Sequence, residues 1–483
     1  MITKRDLVRI EPLLYEIPAS HRDDMRVPAR IYADHYILEK AFEDRSMTQL
    51  INTTTLPGVV KYTMAMPDVH QGYGFPIGGV AATLLPDGVI SPGGVGYDIN
   101  CGVRLLTSTI EADAIRPHMD SLMSALYANI PAGVGASGSI RLSGKELSNL
   151  LETGVDWAIR KQYGTAEDRE HTEDGGCMAA AKASAVGPRA LERGRTQVGT
   201  LGSGNHFIEV DEIVEVYDEE VANAFDLVPG RFCVWIHCGS RGLGHQICTD
   251  AVRMMQQTVT KYNIQLPDRE LVCAPCDSPE GRKYFESMCC AANYAWVNRQ
   301  VITHLVRQSF EQTLAGRVGD LDLRMLYDVC HNIAKIERHQ IEGKMVEVCV
   351  HRKGATRAFG PDQQEVPPDY RRFGQPVLIP GDMGSGSYVL VGTAKAMQET
   401  FGSTCHGAGR LMSRRRARSS VRGEKLRDDL ERSGITVRAK SMSGLAEEAP
   451  QAYKDLDRVV DVVHRTGIAR KVARTRPMGV MKG

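Results

Sequence analysis

The chain has 483 residues, of which 42% are hydrophobic and 24% are charged, a composition that excludes a disordered or fibrous protein and fits a globular one. Lysine plus arginine and aspartate plus glutamate both number 59, so no overall positive field attracts a polyanion, and a nucleic-acid contact must come from a local cluster. No run of about eighteen apolar residues occurs, and the N-terminus lacks a signal-peptide pattern, which predicts a cytoplasmic protein without a membrane partner.

Alternating strand and helix patterns predict an α+β fold. Short β-branched runs that end near glycine predict strands of mixed sheets, beginning at Gly79, Val103, Phe232, Met345 and Ser387. Between these runs, apolar periodicity predicts helices over residues 119–128, 246–262, 280–312 and 452–464. Since no repeat or low-complexity linker interrupts the pattern, we expect a single domain over residues 1–483.

The longest predicted helix belongs to a stretch, residues 264–325, that we expect to be mostly a helical insertion. Ser278 is suited to be its N-cap and Pro279 its first helical residue. The same stretch contains the single C-x-x-C pair, Cys273 and Cys276. Because no second pair follows at zinc-site spacing, the pattern favours buried thiols, with a metal or redox role as the alternative.

Five potential metal ligands lie where predicted strands meet loops. Asp98 and Cys101 are three positions apart in a glycine-bounded loop, and His206, His237 and His331 lie at strand ends. Taken alone, each histidine is more often an ordinary polar residue at a strand end than a metal ligand. Together, one carboxylate, one thiolate and three imidazoles exceed a single tetrahedral site but suit two metals that share a ligand, about 3.5–4 Å apart. This donor set does not select manganese over zinc or cobalt.

Two glycine-rich loops, residues 380–387 and 405–410, could offer backbone N–H groups to phosphates, although such loops are often only turns. The second loop begins a basic run, residues 407–425, in which Glu424 is the single acid. His406 in this loop is the best candidate nucleophile, because a neutral imidazole can attack an α-phosphate and form a labile phosphoramidate. The alternative is a helix-capping or ordinary hydrogen-bonding role.

Several motifs occur together in one order along the chain. They are PDVHQGYGFPIGG from Pro67, YDINCGVR from Tyr97, GSGNHFIE from Gly202, HCGSRGLG from His237, CHGAGR from Cys405, AEEAPQAYKD from Ala446 and the terminal RPMGVMKG. From about residue 60 to its end the chain thereby resembles the RtcB family of tRNA-splicing and RNA-repair ligases. The resemblance implies one large α+β domain built around a dinuclear metal centre.

The resemblance also implies a reaction that uses GTP and two manganese ions. GMP would pass from GTP to His406 and then to an RNA 3′-phosphate, after which a 5′-hydroxyl end would displace it. A 2′,3′-cyclic phosphate end would first be hydrolysed. Cys101 would bridge the two ions, with Asp98 and His206 completing one site and His237 and His331 the other. The RNA partner would include tRNA halves, and archease is a plausible activating partner.

The resemblance further implies a guanine-nucleotide site. Its expected residues are Asn205, His206, Phe207, Ile208, Glu209, His331, Asn332, Pro380, Gly381, Asp382, Met383, Ser387, His406, Gly407, Ala408, Gly409 and Lys482. Tyr453 is expected near the base, and Asp68 near the reacting end with His70 supporting its loop. Arg241, Lys353, Arg410 and Arg414 are candidates for terminal phosphates or RNA, with a solvated surface as their alternative.

Two residues depart from the family pattern, because many relatives have serine where Cys238 and Asp382 stand here. Cys238 is nearly isosteric with serine, whereas Asp382 puts a carboxylate into a phosphate cradle, so we expect its backbone to make the contact. Two other functions remain open on the residues alone. One is a two-metal phosphoesterase that acts on RNA ends without joining them. The other is an RNA-binding protein whose metal cluster is structural.

Overall fold

Residues 2–483 are described by a computed structural model of strands and helices. The strands are β1 (Val8–Glu11), β2 (Leu14–Ile17), β3 (Ala29–Tyr32), β4 (Thr63–His70), β5 (Ile77–Leu84), β6 (Val89–Ile90), β7 (Gly102–Glu111), β8 (Phe207–Val216), β9 (Arg231–Cys238), β10 (Ala274–Pro275), β11 (Arg324–Cys330), β12 (Asn332–Ile341), β13 (Lys344–Lys353), β14 (Ala355–Arg357), β15 (Pro376–Ile379), β16 (Ser387–Gly392), β17 (Ser403–Cys405), β18 (Thr436–Ala439) and β19 (Ala469–Lys482). They include every strand predicted from the sequence, and with the helices they confirm the α+β class.

The α-helices separate these strands along the chain. They are α1 (His35–Phe42), α2 (Ser46–Thr53), α3 (Ala112–Ile115), α4 (Met119–Asn129), α5 (Gly144–Thr153), α6 (Val155–Arg160), α7 (Ala166–Glu170), α8 (Pro188–Gly194), α9 (Glu219–Ala224), α10 (Arg241–Lys261), α11 (Pro279–Leu314), α12 (Ala394–Glu399), α13 (Arg414–Ser420), α14 (Gly423–Arg432), α15 (Met442–Glu447) and α16 (Leu456–Thr466). Within residues 2–483, no helix combines the length and hydropathy needed to cross a membrane.

The first large sheet has the strand order β1-β2-β3-β4-β5-β13-β12. Its buried residues Met64 and Val80 share one apolar cluster with Ile37 of α1, Leu50 of α2 and Val459 of α16. Helix α16 presents buried apolar residues at intervals of three and four, which is the spacing that covers a sheet with one helix face. These three helices therefore bury one face of the first sheet.

The second large sheet has the order β11-β7-β9-β8-β19-β16-β15, with β18 added parallel to β19. Side chains alternate across a strand, so Leu106 and Val234 face one apolar cluster while Leu105 and Trp235 face another. Both faces of this sheet are buried. Its strand ends are therefore the part that remains available for a functional site.

Helix α11 runs for 36 residues and is buried along most of its length. The predicted start is confirmed, because the Ser278 hydroxyl accepts a hydrogen bond from Gly281 N at 3.0 Å and Pro279 is the first helical residue. In the interior of this helix, buried Asn298 and Arg299 carry polar groups into the protein core. A helix buried on all sides must pair such groups with partners from other elements.

Two other helix starts were predicted wrongly. The helix predicted over residues 452–464 begins at Leu456, because the Asp455 side chain caps it by accepting from Asp457 N. The helix predicted over residues 246–262 begins at Arg241 despite its glycines. Its N-terminal Ser240 donates its N–H to the Asp98 carboxylate at 3.1 Å, an anion position that favours a helix start.

Candidate functional site

The candidate metal ligands meet at one end of the second sheet. Neighbouring strands pair there at Cys330–Gly102, Gly102–Cys238, His237–Phe207 and Phe207–Lys482. Cys101 and His206 directly precede strands β7 and β8, and His331 directly follows β11. Antiparallel pairing therefore brings together residues that lie more than a hundred positions apart in the sequence.

The ligand atoms of these residues form two groups that share one thiol. Cys101 Sγ lies 3.5 Å from Nε2 of His206 and 3.2 Å from Nε2 of His237. His237 Nε2 lies 3.4 Å from Nε2 of His331, and His206 Nε2 lies 2.8 Å from Asp98 Oδ2. Asp98, Cys101 and His206 thus form one candidate metal site, and Cys101, His237 and His331 form the other.

The electrostatics of the cluster suit cations. Burial lowers the pKa of His237 and His331 well below the usual range, which keeps these imidazoles neutral and able to donate lone pairs. Burial raises the pKa of Cys101 to about 12, so a thiolate at this position needs a cation beside it. Although burial opposes it, the adjacent His206 lowers the pKa of Asp98 to about 2, which keeps this carboxylate ionised.

Helix α11 supports the cluster through Arg299. This buried guanidinium donates to Asn100 O and to Cys238 O, each at 2.8 Å, and so joins the loop that carries Cys101 to the end of strand β9, which carries His237. It also makes two 2.8 Å hydrogen bonds to the Asp328 carboxylate. The position of the candidate metal ligands is therefore tied to a buried ion pair in the core.

His406 lies beside this cluster, and its ring is oriented by Asp68. The Asp68 carboxylate accepts from His406 N at 2.8 Å and also pairs with the ring nitrogen Nδ1. With the Nδ1 proton directed at a carboxylate, Nε2 retains its lone pair. The His331 ring centroid is 5.0 Å from that of His406, so the candidate nucleophile adjoins the candidate metal sites.

Two contacts hold Asp68 in place. Lys454 is buried and donates to Pro67 O at 3.2 Å and to Val69 O, the carbonyls on either side of Asp68. Burial lowers the pKa of this lysine to about 8. Gly409 approaches the Asp68 backbone with φ of 73°, where an added Cβ would collide with Asp68 O.

A pocket of about 380 Å³ opens beside the candidate metal ligands and His406. Of the residues expected around a guanine nucleotide, those that line it are Asn205, Phe207, Glu209, His331, Asn332, Pro380, Gly381, Asp382, Met383, His406, Gly407, Ala408, Gly409 and Lys482. Ile208 instead points into a core cluster. Ser387 is buried and accepts from Gly381 N at 3.2 Å, so its side chain supports the first glycine loop.

The Asp382 carboxylate is engaged within its own loop. It accepts from Gly384 N at 2.8 Å and from Ser385 N at 3.1 Å. These bonds turn the side chain toward the loop's own amides, and the residue still lines the pocket. The Asp382 N–H also donates to Ser385 Oγ at 3.3 Å, so the expected contact between a ligand and the Asp382 backbone stays a prediction.

The basic run after His406 is partly neutralised by residues from another motif. Arg410 Nη1 lies 3.1 Å from the buried Glu448 carboxylate and 3.1 Å from the Tyr453 hydroxyl. Arg414 Nε lies 3.7 Å from the same carboxylate, with its side chain about half exposed. The run thus carries less free positive charge at the pocket than its sequence suggested.

The other two cationic candidates lie on different sides of the site. Lys353 lines the pocket, where it is buried and donates to Tyr73 O and, at 3.1 Å, to Gly93 O. Burial lowers its pKa to about 7. Arg241 stands outside the pocket lining and donates to Thr200 Oγ1 at 3.1 Å.

Comparison with known proteins decides the family. Residues 49–483 match the family model described as "tRNA-splicing ligase RtcB". The chain belongs to the RtcB family. It is similar to the tRNA-splicing ligases RtcB of Thermococcus kodakarensis (53% identical), Archaeoglobus fulgidus (52%) and Methanococcus maripaludis (50%). Each alignment covers 99% of this chain and at least 99% of the relative.

Cys238, at which the resemblance leads us to expect serine in many relatives, contacts the candidate metal cluster. Its Sγ lies 3.7 Å from Nδ1 of His206, the ring nitrogen that faces away from Cys101. The thiol can therefore help to orient this ring. By contrast, Cys273 and Cys276 belong to neither candidate metal group found in the described part of the chain.

Several residues at this candidate site were not predicted from the sequence. Glu448 and Lys454 lie in the motif AEEAPQAYKD, which contributes to the family resemblance. The resemblance did not predict the contacts that these two charged side chains make. Arg299 gave no local signal, because a basic residue inside a long helix is ordinarily exposed. Tyr73 and Tyr97 line the pocket and lie within two of the motifs that carry the family resemblance, PDVHQGYGFPIGG and YDINCGVR.

Proposed function

We propose that this protein is a GTP-dependent RNA ligase that joins an RNA 3′-phosphate or 2′,3′-cyclic phosphate end to a 5′-hydroxyl end in tRNA splicing, RNA repair or both. Membership of a family described as tRNA-splicing ligases supports the general class of activity. The observation that carries the proposal is the placement of His406, held by Asp68, in a pocket beside two candidate metal sites.

His406 Nε2 is the proposed nucleophile. It attacks the α-phosphorus of GTP, an N–P bond forms, and the bond to the leaving pyrophosphate breaks. A 3′-phosphate oxygen of the RNA then attacks the same phosphorus, which breaks the N–P bond and transfers GMP to the RNA end. Finally the 5′-hydroxyl, losing its proton, attacks the RNA 3′-phosphate and displaces GMP, so that a phosphodiester forms.

The donor set of the cluster fits two divalent ions that share Cys101 without selecting the element, and we propose manganese for both because the chain belongs to the RtcB family. When bound, such ions neutralise phosphate charge and polarise P–O bonds. Asp98 and His206 would hold one ion, and His237 and His331 the other. The two glycine loops line the same pocket with backbone groups that can bind phosphates.

Two side chains that line the pocket support recognition of guanine. Glu209 is buried, lines the pocket and has a carboxylate oxygen without a hydrogen-bond partner among residues 2–483. Lys482 Nζ lies 5.4 Å from the Phe207 ring centroid, on the same wall. Guanine offers N–H donors that a carboxylate accepts and an O6 that a lysine binds, so these two side chains complement it.

Transfer of labelled GMP to the protein is the decisive measurement. The protein is incubated with α-labelled GTP and manganese, and label that is stable to base and labile to acid is expected. His406→Ala should abolish it, while His35→Ala, at an exposed histidine, should not. Absence of label on the intact protein would overturn the ligase mechanism and leave RNA-end hydrolysis or metal-stabilised RNA binding to be measured directly.

Recognition of the guanine base is tested by comparing GTP with ITP. With the unmodified protein we expect GTP to label His406 about 10- to 100-fold better than ITP, which lacks the 2-amino donor, because the buried Glu209 carboxyl group then loses a hydrogen-bond partner. Glu209→Gln should shrink this preference. A preference that survives the substitution would place the guanine contact elsewhere.

The RNA specificity is tested with separate strands that carry defined 3′ and 5′ end groups. A strand with a 3′-phosphate or 2′,3′-cyclic phosphate should join a 5′-hydroxyl strand, and tRNA halves are the first natural substrates to try. Adding archease should raise the number of turnovers if, as we propose, it is an activating partner. Joining that requires a 5′-phosphate would contradict the proposed end chemistry.

A further inference from the structure

Three rings form a continuous row from the pocket to the protein surface. Tyr73 and Tyr97 line the pocket with centroids 5.6 Å apart, and Tyr97 is 4.9 Å from the ring of His245. The two tyrosines are half-buried, and His245, in the first turn of α10, is exposed. We name this row the aromatic ledge.

The aromatic ledge forms a part of the pocket that the proposed GTP contacts do not use. Tyr97 directly precedes Asp98, a candidate metal ligand, so the ledge begins one residue from the point where a phosphate would be held. A strand whose end occupies that point has its neighbouring nucleotide within reach of the ledge. The proposed GTP contacts are made by other lining residues, so they leave the ledge free for a second ligand.

The chemistry of the ledge suits the flat face of a base. Tyrosine and histidine rings stack on unpaired bases, and RNA ends are recognised in this way because every base has a π-face. The Tyr97 and His245 ring centroids lie 4.9 Å apart with planes inclined by 31°, so these two rings already stack on each other and a base would extend that stack. Lys353 Nζ lies 5.9 Å from the Tyr73 centroid, at the inner end of the row.

The charges around the ledge argue against a phosphate subsite there. Glu270 lies behind Tyr73, where its carboxylate accepts from Gly74 N at 2.9 Å. This acid offsets the buried Lys353, whose Nζ is already bound to two carbonyls. Stacking, rather than charge, is therefore the interaction that the ledge provides.

We infer that the aromatic ledge stacks an unpaired base at an RNA end, so that the terminal phosphate or hydroxyl is directed toward the candidate metal sites and His406. The inference rests on the proposed function, because it takes RNA ends as the substrate. The base belongs to the 3′-phosphate strand or to the 5′-hydroxyl strand, and separate probes distinguish these two sources. Such stacking tolerates all four bases and positions the end without selecting a sequence.

The first experiment leaves the protein unchanged. One RNA carries 2-aminopurine as its last nucleotide before a 3′-phosphate, and another carries it as its first nucleotide after a 5′-hydroxyl. Binding should quench the fluorescence of the probe that stacks, and an abasic nucleotide at that position should weaken binding about tenfold. Equal binding of abasic and complete RNA at both ends, without quenching, overturns the inference.

Variants assign the effect to the ledge. Tyr97→Leu keeps an apolar side chain against the core but removes the ring, so KM for RNA should rise about tenfold with a smaller change in kcat. Tyr97→Phe should restore binding, and Tyr36→Leu, at a half-buried tyrosine in α1, serves as the matched control. The Tyr97→Leu defect should vanish on abasic RNA. A defect of equal size on abasic RNA means that Tyr97 acts only structurally, which contradicts the inference.

Failure of the ledge and failure of the proposed ligase give different results. The unmodified protein is tested for GMP labelling without RNA in the same preparation. Label together with base-independent RNA binding overturns the ledge alone. Quenching and base-dependent binding without any label overturn the proposed ligase mechanism and support the ledge.

Discussion

At the scale of single residues, the candidate nucleophile depends on one carboxylate. Asp68 precedes His406 by 338 positions, yet it accepts from both the backbone N–H and the ring Nδ1 of that histidine. A carboxylate in this position selects the tautomer with a free Nε2 and fixes the direction of the ring. An amide could fix the direction but could present a donor to Nδ1 and select the wrong tautomer.

Asp68→Asn should therefore slow GMP transfer to His406 by about 100-fold or more, as loss of an orienting carboxylate does in related arrangements. The measurement is the initial rate of labelling at saturating GTP. Asp87→Asn, at an exposed acid, is the control. An unchanged rate in a folded Asp68→Asn protein would mean that the carboxylate does not orient the nucleophile.

The buried ion pair of Asp328 gives a residue-scale prediction about pH. Although burial opposes it, Arg299 and Arg104 lower the pKa of Asp328 below its usual value. A carboxyl group with a lowered pKa contributes stability above its unfolded pKa of about 3.9 and loses this contribution as pH falls through the folded value. Its contribution should thus be complete at neutral pH and decline in acid.

Asp328→Asn should be less stable than the unmodified protein by about 3–5 kcal/mol at pH 7, because two buried guanidiniums lose their partner. The difference should shrink toward pH 3. Denaturant unfolding at several pH values measures it. A difference that is constant, or that grows in acid, would contradict the assignment.

At the scale of elements, helix α11 connects the core to the site. Its start is specified locally by Ser278 and Pro279, whereas its middle makes long-range contacts to the loop that holds Cys101 and to the end of β9, which holds His237. The start of the helix and its middle can be altered separately by substitution. A change at the cap should alter stability alone, and a change at Arg299 should alter both stability and the site.

Ser278→Ala should lower the free energy of unfolding by about 1 kcal/mol, the usual effect of losing a side-chain cap. Thermal unfolding measures this shift, with Ser419→Ala, at an exposed serine, as the comparison. GMP labelling at a temperature where both proteins are folded should be unaffected. A neutral effect on stability would mean that the helix start is held by its tertiary contacts.

Arg299→Met should reduce both stability and GMP labelling. The methionine fills the space but leaves Asn100 O and Cys238 O without their donor and leaves Asp328 with Arg104 alone. The expected loss is about 3 kcal/mol or more of unfolding free energy. Arg307→Met, which changes a partly exposed arginine of the same helix, is the matched variant. Full labelling by a destabilised Arg299→Met protein would show that the cluster does not need this support.

At the scale of the whole molecule, the site joins two sheets. The second sheet supplies the ends of β7, β8, β9, β11 and β19, and the first supplies the ends of β4, β5, β12 and β13. Ions bound at this junction would stabilise both sheets at once, since a ligand that binds only the folded state shifts unfolding toward higher temperature.

Manganese should raise the midpoint of thermal unfolding, and a concentration about 100 times the dissociation constant should add about 2.7 kcal/mol. Cys101→Ala should remove the shift, because it deletes the shared ligand. Cys276→Ala should retain it, since that thiol lies outside both candidate groups. If Cys276→Ala removed the increase in the unfolding midpoint and Cys101→Ala did not, the metal would bind at the C-x-x-C pair instead.

The sequence by itself determined the elements and the family. Strand periodicity at β7, β9 and β16, the Ser278–Pro279 start of α11 and the ordered motifs are all local properties, and the structure and the comparisons confirm them. Metal binding by the candidate ligands could also be predicted from the sequence, because their side-chain types limit what they can bind. The start of α16 was predicted too early, because its cap, Asp455, lies inside the predicted range 452–464.

Only the tertiary structure decided which of these groups meet. It paired Asp68 with His406, neutralised Arg410 with Glu448, sent Arg299 from the middle of α11 to the Cys101 loop, and aligned Tyr73, Tyr97 and His245. The physical reason is that such contacts depend on strand order and register across sheets. Local periodicity tells which face of a strand is buried, but not which distant strand lies beside it.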